Sequence, residues 1–327
     1  MVANMQGLRK SAEDRYSRIA LGLGLPSNSS WKEINDRLRK AKYIKAEPSR
    51  ILATCPCKEN KLFGIKIDLI KLPAPKLHQK DGGNYVQTYG MHILQSPDEK
   101  WTNWSIARGT IHDKNHLVGL CIPPQHNWQI RELWKKEGKD VTWALALGMP
   151  PAAIIAAGMP VPDEMSELDY VNAITGTSLD LVRCETNDLL VPANSEIIME
   201  GTLSITEMGP EGLFGEYFGH SFSKEPQLCP VYEVKAVTYR NDAILPVSVP
   251  GKITDESVSC QSTVRGKRRV LTGIAHLPSS RSTYLGRFSP IRDICELGGP
   301  RSELQEAQNV GNHTRRALQK SRQCSLQ

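Results

Sequence analysis

No run of eighteen apolar residues occurs anywhere in this chain, so no membrane-spanning helix is expected. The opening stretch Met1–Lys10 lacks the apolar core of a secretory leader, so none is expected either. Clustered cysteines are missing too. The eight cysteines are scattered, Cys55-Pro-Cys57 is their one close pair, and nothing near it completes a zinc-binding spacing. Free thiols in a cytoplasmic protein are therefore expected. What the sequence does have is length and core material. Its 327 residues, 39% of them apolar, suffice for two domains or for one large domain with an appendage.

The net charge of +6 is unevenly placed. Residues 257–327 hold ten arginines and two lysines against four acids, a balance of +8, so the first 256 residues carry −2. That tail is rich in serine and shows no sustained apolar period, which reads as disorder or solvated coil. A basic nucleic-acid-binding tail is the competing reading. It is disfavoured because such tails are usually rich in lysine and free of cysteine.

Two amphipathic helices open the chain. Ser11-Ala-Glu-Asp14 and Ser30-Trp-Lys-Glu33 both read as capping boxes, followed by Tyr16, Ile19, Ala20, Leu23 and by Ile34, Leu38, Ala41 at helical spacing. Tyr85–Gln95, Trp101–Ile111 and Leu117–Ile122 then read as one antiparallel set of strands. A helix is expected from about Trp128 to Glu137, ending at Gly138, and a short one over residues 150–157. Further strands are expected at Thr142–Met149, Asp180–Cys184, Glu196–Ile205 and Val231–Tyr239. The fold class is mixed α+β, with more strand than helix.

The stretch Gly209-Pro-Glu-Gly-Leu-Phe-Gly-Glu216 holds two carboxylates, Glu211 and Glu216, on what reads as a turn with three glycines. Two acids in different environments can keep different protonation states, which acid–base chemistry near neutral pH requires. Taken alone, the stretch reads more readily as a solvated acidic turn closing a hairpin. Other stretches add to it: Gln87-Thr-Tyr-Gly-Met-His92, Trp101-Thr-Asn-Trp-Ser-Ile-Ala-Arg108, Ile122-Pro-Pro-Gln-His126 and Met159-Pro-Val-Pro-Asp-Glu-Met-Ser-Glu167.

These stretches, in this order and at these spacings, resemble the UbiD family of prenylated-flavin decarboxylases, and most of all its fungal ferulic/cinnamic acid decarboxylases. The likeness runs from about Leu8 to Glu256. It implies a UbiD-type flavin-binding domain with a largely antiparallel, split-barrel-like sheet. It implies three metal ligands, Asn103, His126 and Glu167, a mixed O/N set suited to Mn²⁺ or Mg²⁺, with K⁺ nearby. Each ligand alone also reads as an ordinary loop or strand-end residue.

The resemblance further implies a catalytic trio. Arg108 would receive the substrate carboxylate, Glu211 would hold Arg108 with a depressed pKa, and Glu216 would deliver a proton from a raised one. The bland reading is a surface Arg–Glu pair beside a spectator Glu. Ser105, Ile106, Ala107, Arg108, Gln125, His126, Met159, Pro160 and Glu167 match cofactor-contacting positions, and Ile122, Gln125 and Tyr217 match the substrate pocket. Tyr217 departs from the methionine usual in cinnamate-type members. The implied reaction is reversible, non-oxidative decarboxylation of an α,β-unsaturated acid to an alkene and CO₂. In it a cofactor-borne dipole adds across the double bond, and Glu216 protonates the carbon after CO₂ leaves. A flavin prenyltransferase is the implied cofactor supplier, and a homodimer the implied assembly.

By this likeness residues 1–80 correspond to an N-terminal helical part whose upstream segment is missing, and 81–256 to an incomplete catalytic domain. Residues 257–327 form a basic tail in place of the family's C-terminal dimerisation domain. Likeness and apolar periodicity stop together near Glu256, as a frameshift or mis-called intron would cause. A truncated, non-catalytic remnant is thus the alternative to an active enzyme.

Overall fold

The fold is built around strands that must curl, because two short crossings join opposite ends of one sheet. The computed structural model describes residues 16–159, 161, 166–215 and 225–250, all within a unit spanning Met1–Gly273. The chain opens with α1 (Ser17–Gly22), α2 (Trp31–Lys40), β1 (Arg50–Leu52) and β2 (Asn60–Phe63). Next come β3 (Tyr85–Gln87), β4 (Gly90–Gln95), β5 (Thr102–Ser105), β6 (Gly109–Ile111) and β7 (His116–Gly119). They are followed by α3 (His126–Lys136), β8 (Val141–Leu147), α4 (Pro151–Ala157) and α5 (Glu167–Thr175). Last are β9 (Asp180–Arg183), β10 (Leu190–Pro192), β11 (Ile197–Glu211) and β12 (Gln227–Tyr239).

Nine strands form one antiparallel sheet in the order β3-β6-β7-β12-β11-β8-β4-β5, with β2 also on β12. In that order β3 and β4 lie six strands apart, as do β6 and β5. A flat sheet would separate each pair by about 29 Å. Yet only Thr88 and Tyr89 join β3 to β4, and only residues 106–108 join β5 to β6, and such links reach about 11 and 14 Å. The sheet therefore bends until its two ends face each other. The runs Tyr85–Gln95 and Trp101–Ile111, each expected as one strand, are each two strands on opposite ends of this sheet. Strand structure is present in both runs, but the crossings leave no hydropathy signal.

Two cores flank the curl. One joins the faces of α1, α2, α4 and α5 to Ile93, Ala144 and Ile198; the other packs Trp143, Leu145, Met199 and Tyr232 inside the sheet. The α2 cap is the expected one: Ser30 Oγ accepts from the Glu33 amide at 3.3 Å, and the Ser30 amide donates back to Glu33 at 2.7 Å. The Ser11–Asp14 box lies outside the described residues. The Asp180–Cys184 strand does not join the main sheet. As β9 it pairs parallel with β1 and antiparallel with β10. Among the described residues no helix is long and apolar enough to cross a membrane.

Inside the molecule lies a second ion pair, Lys58 with Glu200 at 3.3 Å, both side chains almost fully buried. The other Glu200 oxygen accepts from the Thr186 amide and hydroxyl at 2.7 and 3.0 Å. Glu185 approaches the same ammonium at 3.5 Å, so the charge is compensated from two sides.

Candidate active site

The crossing between β5 and β6 carries Arg108, one of the candidate site residues. It is held from behind by His92 on β4, whose ring is buried. Trp143 Nε1 donates to His92 Nδ1 at 2.9 Å, and because an indole can only donate, Nδ1 must be the acceptor. His92 Nε2 therefore bears the proton and donates to the Ala107 carbonyl at 2.9 Å. Burial lowers the pKa of this imidazole to about 4, against the opposing pull of the Ala107 carbonyl, and keeps it neutral.

Arg108 leaves that crossing and meets the end of β11. Its Nε donates to Glu211 Oε1 at 2.8 Å and its Nη2 to Oε2 at 3.0 Å, a bidentate fork. The Glu211 side chain is 1% exposed, while Arg108 keeps 22%. Tyr85 Oη donates to Glu211 Oε1 at 2.9 Å, and the guanidinium lies over the Phe214 ring at 4.7 Å. Burial, then the neighbouring Glu211, push the Tyr85 phenol well above its ordinary pKa, so it stays a donor. The Gly209–Glu216 stretch was expected as a turn. Instead Gly209, Pro210 and Glu211 finish β11, paired with Cys229, Leu228 and Gln227 of β12. A strand end holds a carboxylate more rigidly than a turn does.

At the other end of the crossing the expected metal ligands converge. His126 Nδ1 lies 3.1 Å from Asn103 Oδ1 and 3.9 Å from Glu167 Oε1. Asn103 sits on β5, His126 opens α3 and Glu167 opens α5. Glu167 Oε2 accepts from the Trp104 amide at 2.7 Å, yet burial still raises its pKa to about 7. A divalent cation would offset that desolvation and return the carboxylate to its ionised form. Asn103 Nδ2 and Ser105 Oγ are buried without a hydrogen-bond partner, an arrangement that costs free energy unless a polar group meets them. Among the described residues no three His, Cys, Asp or Glu side chains gather for a metal by themselves, so the amide of Asn103 is needed to complete a set of three. These orphaned polar atoms and this O/N donor set fit a metal-anchored anionic group.

The remaining expected positions divide. Ile106 packs against the cluster that contains Met159, and Ala107 is buried beside them. Ile122 and Gln125 lie on the exposed approach to α3, where the Gln125 amide donates to the Ile122 carbonyl at 3.0 Å. Pro160, Glu216 and Tyr217 lie outside the described residues. Sequence reasoning missed Tyr85 and Phe214. Tyr85 gave only the signal of a buried strand residue, and Phe214 sat within the motif without a chemistry of its own.

The family model described as UbiD, 3-octaprenyl-4-hydroxybenzoate carboxy-lyase Rift-related domain, matches residues 50–253. Over 255 residues the chain is 51% identical to ferulic acid decarboxylase 1 of Saccharomyces cerevisiae, covering 77% of this chain and 51% of that protein. It is 44% identical over 261 residues to the pyrrole-2-carboxylic acid decarboxylase of Pseudomonas aeruginosa, covering 79% and 52%. It thus spans about half the length of the curated relatives it matches. An evolved dimeric form of the UbiD-class enzyme HmfF from Pelotomaculum thermopropionicum, solved in complex with prFMN, superposes with a TM-score of 0.71 at 30% identity. That match covers 80% of this chain and 59% of the other. Sequence and fold agree: the chain belongs to the UbiD family.

Proposed function

We propose that this chain carries the decarboxylase site for an α,β-unsaturated carboxylic acid of the cinnamic or ferulic type, with prenylated FMN as cofactor. The observation that carries the reading is the Arg108–Glu211 fork, joined through one crossing to the Asn103, His126 and Glu167 set. The activities of the relatives, on ferulic acid and on pyrrole-2-carboxylic acid, support the class of reaction and leave the acid itself open.

Asn103, His126 and Glu167 would hold Mn²⁺ or Mg²⁺, which would neutralise the flavin phosphate, with K⁺ close by. Ser105, Ile106, Ala107, Gln125, Met159 and Pro160 would line the cofactor. When bound, the prenylated flavin supplies the electron sink that loss of CO₂ requires. Arg108 binds the substrate carboxylate through its planar charge, and Glu211 fixes the rotamer of that guanidinium. Phe214 covers one guanidinium face and limits water there. Glu216 delivers the proton to the carbon that CO₂ leaves, and Ile122, Gln125 and Tyr217 shape the room for the acid.

The test is to produce the chain together with a flavin prenyltransferase and to follow CO₂ release from cinnamate-type acids. Release that falls by about 10³-fold or more in Glu216→Gln is expected. Activity that survives this substitution would refute the assigned proton donor.

A further inference from the structure

Residues 211–215, at the end of β11 and just beyond it, meet a segment that no motif singled out, residues 78–85, through His78, Asp81, Gly82 and Tyr85. Asp81 is buried, and its Oδ1 accepts from the Gly215 amide at 2.9 Å. Its Oδ2 accepts from the His78 amide at 2.8 Å and faces His78 Nδ1 at 3.3 Å, so both oxygens are committed. The other nitrogen of that ring bonds the Pro250 carbonyl at 2.6 Å. The Gly82 amide donates to the Leu213 carbonyl at 2.8 Å, and Tyr85 Oη reaches Glu211 at 2.9 Å and the same carbonyl at 3.4 Å. The Tyr85 and Phe214 rings lie 4.5 Å apart.

Two glycines set how close these segments come. A Cβ on Gly82 would fall onto the Gly212 carbonyl oxygen, and one on Gly215 would lie 2.5 Å from His78 Nδ1. Backbone sits on backbone here, with Asp81 and Glu211 each accepting from the facing segment. Phe214 and Glu211 in turn grip Arg108, one on its face and one on its edge. Gly215 directly precedes Glu216 in the chain.

We infer that residues 78–85 are the template on which residues 211–215 are set, with Asp81 and Tyr85 as positioning residues for Arg108. The inference rests on the proposed role of Arg108 as carboxylate receptor. Asp81 acts through the Gly215 amide, and Tyr85 acts through Glu211. Neither is required to touch substrate. A carboxylate is the suitable acceptor because its charge strengthens a bond to an exchangeable backbone N–H that would otherwise face water. The Tyr85 hydroxyl adds a third bond to Glu211, at Oε1, while both carboxylate oxygens stay on the guanidinium.

The experiment has two arms, both on the full chain. Without cofactor, hydrogen–deuterium exchange is compared in the parent and in Asp81→Ala. The Gly82 and Gly215 amides should exchange about tenfold faster or more, while amides of residues 197–203 in β11 keep their protection. Unchanged exchange at Gly82 and Gly215 would overturn the inference. With cofactor, Tyr85→Phe keeps the ring and loses only the hydroxyl. It should raise KM for the acid by about tenfold with little change in melting temperature. Partial unfolding would instead lower the apparent kcat and leave KM alone, and that result, or unchanged constants, would also overturn the inference. Should Asp81→Ala fail to fold, Tyr85→Phe decides the matter. Should the parent release no CO₂, the exchange arm still decides it, and the failure belongs to the proposed activity.

Discussion

Two Arg/Lys–Glu pairs with a buried carboxylate sit among the described residues, and they are finished differently. Lys58 and Glu200 are closed off, with Thr186 completing the carboxylate and Glu185 adding a second negative charge. Arg108 and Glu211 are anchored as firmly on the carboxylate side, by Tyr85 and the end of β11, but the Arg108 side chain remains 22% exposed. Partial exposure lowers the desolvation cost of a cation, so by itself it does not mark a functional pair. It is also what a cation that meets a ligand requires, and the role proposed for Arg108 rests on that difference in burial.

The largest stability effect should come from the closed pair. Lys58→Met leaves Glu200 buried without its cation, and a loss of about 3–5 kcal/mol in urea unfolding is expected. Flavin-loaded molecules that do fold should keep their activity, because among the described residues no candidate site residue bonds to this pair. A loss of activity per folded molecule would erase the contrast.

The next effect concerns the support behind Arg108. His92 has a folded pKa of about 4 against the ordinary 6.5, so the unfolded chain binds the extra proton first as pH falls. Its contribution is complete above pH 6.5 and should be lost on the way to pH 4, by about 3 kcal/mol in all. Glu167, with its pKa raised to about 7, works in the opposite sense in the metal-free chain as pH drops from there. The His92 part is therefore read as the difference in urea stability between the parent and His92→Gln across that range. An identical pH slope in the two proteins would show that His92 is not the buried neutral imidazole described above.

The smallest effect should come from a pair that is neither closed nor anchored. Arg183 and Asp188 meet at 2.6 Å but stay 55% and 89% exposed. Arg183→Ala should change stability by no more than about 0.5 kcal/mol, measured in the same urea titrations. A larger loss would mean that distance, not burial, ranks these pairs.

How much of this could be read from the sequence depends on what a residue has to signal. The α2 cap was legible because Ser30 and Glu33 carry a local chemistry at fixed spacing. The α3 and β8 segments were legible within a residue or two from their apolar period. The helix α5 went unread, since Glu167 drew attention as a ligand and the following residues have no strong apolar stripe. The crossings at Thr88–Tyr89 and at residues 106–108 were illegible, because leaving one sheet end for the other is a long-range event. The candidate ligands and the Arg108–Glu211 pair were found only as an ordered set, through family likeness; spacing alone left a bland reading open for each. Tyr85 and Asp81 carried no such mark. Their contacts cross more than a hundred residues and exist only once the sheet has curled.

The central proposal, that Arg108 receives the substrate carboxylate, is tested most directly by kcat/KM of flavin-loaded Arg108→Lys on a cinnamate-type acid. Lysine keeps the charge and loses the planar fork, so a fall of about 10²-fold or more is expected, with a melting temperature close to that of the parent. A kcat/KM within about threefold of the parent would place Arg108 beside Lys58, as a fastening and nothing more.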